Sequence, residues 1–140
     1  MEDIDYLVDT YILKEDWHNS KLPEEVARQY FHKLIDGKNV VVMRDGDKPI
    51  GYLSVWFLDQ EQLVRKLNGQ PLHAVDENIT DGDFVFVANA FIEERHRNKG
   101  NINRLNQMMK DQHEDRNYVG IIYQNGYNKG EFSFYKKGEI

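Results

Sequence analysis

The run FVFVANAFI, Phe84 to Ile92, is apolar at every position except Asn89 and passes directly into the basic stretch EERHRNKG. A strand apolar on both faces belongs in the middle of a sheet, because a one-sided strand would alternate with polar residues. After Gly100, residues Ile102, Leu105, Met108 and Met109 recur at helical spacing, and YVGIIYQ then reads as a second buried strand. Strand, glycine loop, helix and strand make a βαβ unit, whose crossover sets the two strands parallel. The chain is thereby confined to α/β architectures.

The segments before this unit supply its remaining layers. In IDYLVDTYIL the apolar residues Ile4, Leu7, Val8, Tyr11 and Ile12 fall three and four apart, which predicts an amphipathic helix. Pro23, followed by Glu24 and Glu25, starts a second helix, since proline needs no amide partner in the first turn and the acids face the positive helix end. Its apolar face runs through Tyr30, Phe31, Leu34 and Ile35 to Gly37, a C-terminal cap. NVVVMRDGDKPIGYLSVWFL then reads as an antiparallel hairpin around an Asp45-Gly46 turn. A polar segment follows, with a short helix ending near Asn68-Gly69. No linker or repeat divides the 140 residues, so one domain spanning 1–140 is expected.

Charge narrows the partners. Five Lys or Arg and no acid lie between Arg95 and Lys110, although the chain carries a net charge of −6. The acidic balance argues against general nucleic-acid binding, which needs a basic face. No apolar run is long enough to span a membrane, and the acidic amino end does not resemble a secretion signal. The absence of cysteine excludes disulfides and thiol nucleophiles and suits a cytoplasmic location. The histidines at 18, 32, 73, 96 and 113 show no metal-ligand spacing, so no metal site is expected.

The basic loop is placed to hold an anion. A helix that begins directly after a central strand presents its first amides, with the positive end of its dipole, at the strand's carboxyl end. Arg97, Lys99 and Arg104 add charge there, and Gly100 lets a ligand approach the backbone. Neither G-x-x-x-x-G-K-[ST] nor G-x-G-x-x-G is present, which removes the P-loop and the dinucleotide fingerprint. The alternative is a solvated helix start whose cations balance an acidic body.

The stretch FIEERHRNKGNINRLNQMM, arriving after FVFVANA, resembles the pyrophosphate-binding loop of the GNAT superfamily of N-acetyltransferases, [QR]-x-x-G-x-[GA] opening a helix. Here the motif reads Arg97, Asn98, Lys99, Gly100, Asn101 and Ile102. DKPIGYLSVWFL is similar to that family's hairpin strand. NKGEFSFYKKG is similar to its late helix, in which an asparagine precedes a tyrosine by seven residues. The resemblance implies an acyl-CoA N-acyltransferase-like fold, a mixed and mostly antiparallel sheet with helices on both faces, here without the family's last pair of strands. It also implies acetyl-CoA as co-substrate, held by the amides of 98–102 with Arg97, and Tyr135 as the acid that protonates the departing thiolate. Ile102 stands where the family has Gly or Ala.

Two functions follow from this reading. One is N-acetyl transfer to a small-molecule or protein amine by direct attack, since no cysteine is available for a covalent intermediate. The other is a non-catalytic relative that binds a protein partner. A homodimer that completes an unpaired sheet edge fits either one. Asp83, Glu93 and His73 are the candidate proton acceptors. Asn89 either contacts pantetheine or marks a bulge, and needs partners if buried. EFSFYKK also alternates Phe132, Phe134 and Lys136 as a strand would, and that alternative would remove the role of Tyr135.

Overall fold

The structure is a computed structural model that describes residues 3–14, 22–68, 70, 72–113, 120–123 and 132–133. Helices α1 (Asp3–Leu13) and α2 (Glu24–Asp36) form where the apolar spacing places them, with Pro23 at the N-cap of α2. Gly37 follows α2 in a right-handed conformation, and the left-handed residue that turns the chain is Lys38 (φ 57). Strands β1 (Val40–Asp45) and β2 (Lys48–Leu58) form the hairpin. Asp45 pairs with Lys48, so the two-residue loop is Gly46–Asp47, one position later than the dipeptide in the sequence implied.

Helix α3 (Gln60–Leu67) opens with a capping box, in which Asp59 accepts from the Gln62 amide and the Gln62 side chain accepts from the Asp59 amide. It closes at Asn68, as read from the sequence. Strand β3 (Phe84–Ile92) is central, and helix α4 (Asn101–Gln112) crosses from it to β4 (Gly120–Tyr123). A short strand, β5 (Phe132–Ser133), follows.

The five strands lie in the order β1-β2-β3-β4-β5. Only β3 and β4 run parallel, across the predicted crossover, and the other neighbours are antiparallel. The sheet is therefore mixed and mostly antiparallel. One expectation is corrected here: Phe132 and Ser133 pair with Ile122 and Ile121, where the resemblance implied a helix. The alternation of aromatic and polar residues in EFSF favours a strand, whose side chains divide between two faces. Tyr135 lies outside the described residues.

Period-two alternation along β2 feeds a core on each face. Tyr52, Trp56 and Leu58 meet Leu7 and Val8 of α1, Phe31 and Leu34 of α2, and Phe86 of β3. Leu53, Val55 and Phe57 meet Leu105 and Met109 of α4, with Val85 of β3. Helices thus cover both faces of the sheet. Among the described residues no helix is long and apolar enough to cross a membrane.

Beyond β1, the outer edge of β2 is paired by irregular backbone. The Val55 amide donates to Asn39 O (2.8 Å) and the Phe57 amide to Ile79 O (2.7 Å). The fully buried Asn39 joins these partners, its Nδ2 donating to Val55 O at 2.9 Å and to Ile79 O at 3.0 Å. Lys33 of α2 fastens the preceding segment, donating to Ala74 O (2.8 Å), Val75 O (3.1 Å) and Glu77 O. Arg65 of α3 closes the other side through Glu77 at 2.6 Å. An irregular segment is thereby held against the sheet beside β2.

Candidate functional site

Past Ile92 the chain makes a single 3-10 turn, Glu94–His96, and then a tight loop into α4. Two left-handed residues shape this loop, Asn98 (φ 63) and Gly100 (φ 78). Asparagine and glycine are the residues that accept this conformation at least cost. A Cβ placed on Gly100 would meet nothing within 4 Å, so the backbone there faces open space. The first bond of α4 runs from the Arg104 amide to Gly100 O at 3.2 Å. The amides of Asn101, Ile102 and Asn103 precede that bond and are the ones an α-helix leaves without an internal acceptor.

The loop side chains divide into two groups. Arg97 is anchored, its Nε donating to Ile92 O at 2.7 Å and its guanidinium lying over the Phe91 ring at 5.6 Å. Asn101 is buried and ties the loop to the helix, donating to His96 O (2.8 Å) and accepting from Arg104 (3.0 Å). Lys99 is exposed, and so is Ile102, at 45% of its surface. The β-branched side chain of Ile102 points out of the core at the helix start.

On its way into this loop, β3 carries an irregularity. Ser54 pairs with Asn89 and Val55 with Val87, which leaves Ala88 as an extra residue in β3. Such a bulge turns successive side chains to one face and releases backbone groups from the ladder. Of the two readings of Asn89, the structure shows the bulge: Asn89 follows the extra residue, and its Nδ2 donates to the Tyr52 hydroxyl at 3.1 Å. Opposite it, the buried Ser54 hydroxyl has no hydrogen-bond partner among the described residues.

Ala88 and Asn89 border a cleft of about 500 Å³ on the face covered by α1 and α2. Tyr11, Val26 and Tyr30 form its helical side, Trp56 its sheet side, and the 72–76 segment its rim. The Trp56 Nε1 donates to the Tyr30 hydroxyl at 2.8 Å and fixes both rings. On the ring of Trp56, and on that of Phe86, sits Lys66 Nζ, 5.3 Å and 5.4 Å from the two centres. Burial lowers the Lys66 pKa below the ordinary lysine value. Among the described residues the cleft is lined by no Lys or Arg, and its titratable side chains, apart from the tyrosines, are His73 and Asp76.

Of the candidate proton acceptors, only His73 reaches the cleft. Glu93 is paired with Lys14 at 2.6 Å, near the Tyr6 hydroxyl, and Asp83 is exposed before β3 begins. The residues that build the cleft were not singled out in the sequence, because Tyr11, Tyr30, Trp56 and Asp76 carry no shared spacing. One signal was available: two tyrosines and a tryptophan on the buried faces of three amphipathic segments give that core aromatic rings with polar ends.

No family model matches the chain, and no curated protein matches it. Solved structures do share its fold. The loading GNATL domain of CurA from Lyngbya majuscula superposes with a TM-score of 0.60 at 18% identity over 86% of this chain, which spans 57% of that domain. A predicted acetyltransferase from Clostridium acetobutylicum, solved with acetyl-CoA, gives 0.61 at 17% identity, covering 89% of this chain and 76% of the other. A third similar structure, described as a possible acetyltransferase from Clostridium difficile, gives 0.56 at 17% identity, covering 89% of this chain and 74% of the other.

Proposed function

We propose that this chain, whose fold is that of the GNAT acetyltransferases, transfers an acetyl group from acetyl-CoA to an amine held in the cleft beside Ala88. The observation that carries the reading is the course of β3. Its bulge borders the cleft, and five residues beyond the strand's end the chain reaches Arg97 and the amino end of α4. One strand therefore links a site for an acceptor with a site for an anion.

The residues at hand fit the co-substrate. Helix-start amides, a left-handed glycine facing open space and the cations Lys99 and Arg104 suit a pyrophosphate. Asn89 Oδ1 and the ladder groups freed at Ala88 are polar partners for an amide-bearing arm. Acetyl-CoA bound there would supply an activated acyl thioester to the cleft. In the transfer, the amine nitrogen forms the new C–N bond as the C–S bond breaks, and His73 takes the proton that the nitrogen gives up. The leaving thiolate takes a proton from Tyr135, a role that rests on the family resemblance, or from water.

A second reading, a non-catalytic binding domain of the same fold, draws on Ile102 and Met108, which expose apolar surface on α4. Calorimetric titration with acetyl-CoA separates the two. Binding, together with amine-dependent release of the CoA thiol, supports the transferase, whereas protein that takes up no acetyl-CoA belongs to the second class. Acetyl-CoA at ~100 times its Kd adds ~2.7 kcal/mol of stability, which thermal melts also register.

A further inference from the structure

We infer that the acceptor is a small monoamine carried on an apolar, aromatic-sized body, with its ammonium group directed to Asp76. The inference rests on the acetyl-transfer reading for the chemistry, and on the cleft alone for the class of ligand.

Size is the first ground. A volume of about 500 Å³ lies within the range of small-molecule sites, roughly 300–1,000 Å³. The walls are mostly carbon: Val26, Trp56, Leu72, Val75 and Ala88, with the rings of Tyr11 and Tyr30. Their polar ends are engaged, since the Tyr30 hydroxyl accepts from Trp56 (2.8 Å) and the Tyr11 hydroxyl from the Leu22 amide (3.0 Å). Such walls gain from burying an apolar body and offer little to a polar chain.

Charge supplies the second ground. Asp76 is the one carboxylate among the lining residues, is exposed to the cleft and makes no ion pair among the described residues. A carboxylate facing a partly enclosed cleft, with no Lys or Arg among the described lining residues, attracts a cation. The bound ammonium gives one proton to solvent to become the attacking amine, and His73, three residues before Asp76 on the same rim, can then accept the proton released on acylation. Lys66 Nζ already lies 5.3 Å from the centre of the Trp56 ring, and its charge opposes a second cation there. That placement divides the cleft. The Trp56 end repels positive charge and takes the apolar body, and the Asp76 rim takes the single ammonium. A polyamine, with charge at both ends, is disfavoured by the same division.

The test uses three probes on the intact chain, each titrated by calorimetry with and without acetyl-CoA: 2-phenylethylamine, the uncharged 2-phenylethanol and spermidine. 2-Phenylethylamine is expected to bind about three- to fivefold more tightly than either of the others, from a charge-assisted contact with the exposed Asp76 carboxylate. Asp76→Asn, isosteric and at an exposed position, should bring it to the level of 2-phenylethanol while leaving the melting temperature in place. The Lys66→Met variant should relax the discrimination against spermidine. Tighter binding of spermidine in the unaltered protein overturns the inference, and so does 2-phenylethylamine affinity that is unchanged in Asp76→Asn. Binding of 2-phenylethylamine without any acetyl-CoA binding would sink the transferase reading and leave the ligand class standing. Acetyl-CoA binding without 2-phenylethylamine binding would do the reverse.

Discussion

Ile102 is the residue at which this chain departs from the loop pattern it otherwise follows. Because 45% of its surface is exposed, its truncation opens no cavity in the core. Ile102→Gly is therefore expected to cost about 1 kcal/mol or less, the helix-propensity difference, and not the ~2–5 kcal/mol of a core truncation. Urea melts measure this directly, and acetyl-CoA affinity should tighten as the side chain leaves the helix start. Arg97 behaves differently, since its Nε is already committed to Ile92 O. Arg97→Ala should weaken acetyl-CoA binding by ~1.5–3 kcal/mol, the range for a bond to a charged group. An affinity that stays put would assign Arg97 to holding the loop and nothing more. For the proton transfers, His73→Gln and Tyr135→Phe should each lower kcat by ~10²-fold or more with acetyl-CoA affinity retained. Full kcat in Tyr135→Phe would return that ring to packing.

At the scale of elements, what the sequence made legible was what is local. The helices announce themselves by apolar spacing and, for α2, by Pro23 at its start; the crossover shows in the apolar run Phe84–Ile92 beside a glycine loop. The tight loop into α4 was legible for the same reason, its charges and its glycine lying within a few residues of each other. The cleft was not, because α1, α2, β2, β3 and the 72–76 segment meet there only through long-range packing. Nothing in the composition of the polar segment 59–83 revealed that Lys33 and Arg65 would fix it. That fixing has a pH signature. The hydrogen bond from Arg65 holds the Glu77 carboxyl below the usual carboxylate range. A carboxyl depressed in the folded state contributes stability above its unfolded value, about 4.3, and loses it as pH falls through the lower folded value. Thermal melts from about pH 7 to 3 should thus show an acid loss that is smaller in Arg65→Met, in which Glu77 no longer has that partner. Identical acid limbs in the two proteins would mean that the pair contributes nothing measurable, as exposed pairs often do.

For the whole molecule, the proposed function puts its two ligands on the same strand but under different cover. The loop belongs to α4, which packs on one face of the sheet, and the cleft belongs to the face under α1 and α2. β3 takes part in both, through Ala88 and Asn89 at the cleft and Ile92 at the loop. Hydrogen exchange should resolve them as separate responses, because a ligand slows exchange where it removes opening motions or covers amides. Acetyl-CoA is expected to protect residues 97–103 and the bulge at 88–90 and to leave 72–76 unchanged, whereas 2-phenylethylamine should protect 72–76 and the bulge and leave the loop unchanged. The bulge is then the only segment that answers to both. If both ligands are present, their effects there should exceed either alone, since the second meets a strand already ordered by the first. Protection by acetyl-CoA confined to 72–76, with the loop unaffected, would place the co-substrate in the cleft and undo the division of roles between the two faces.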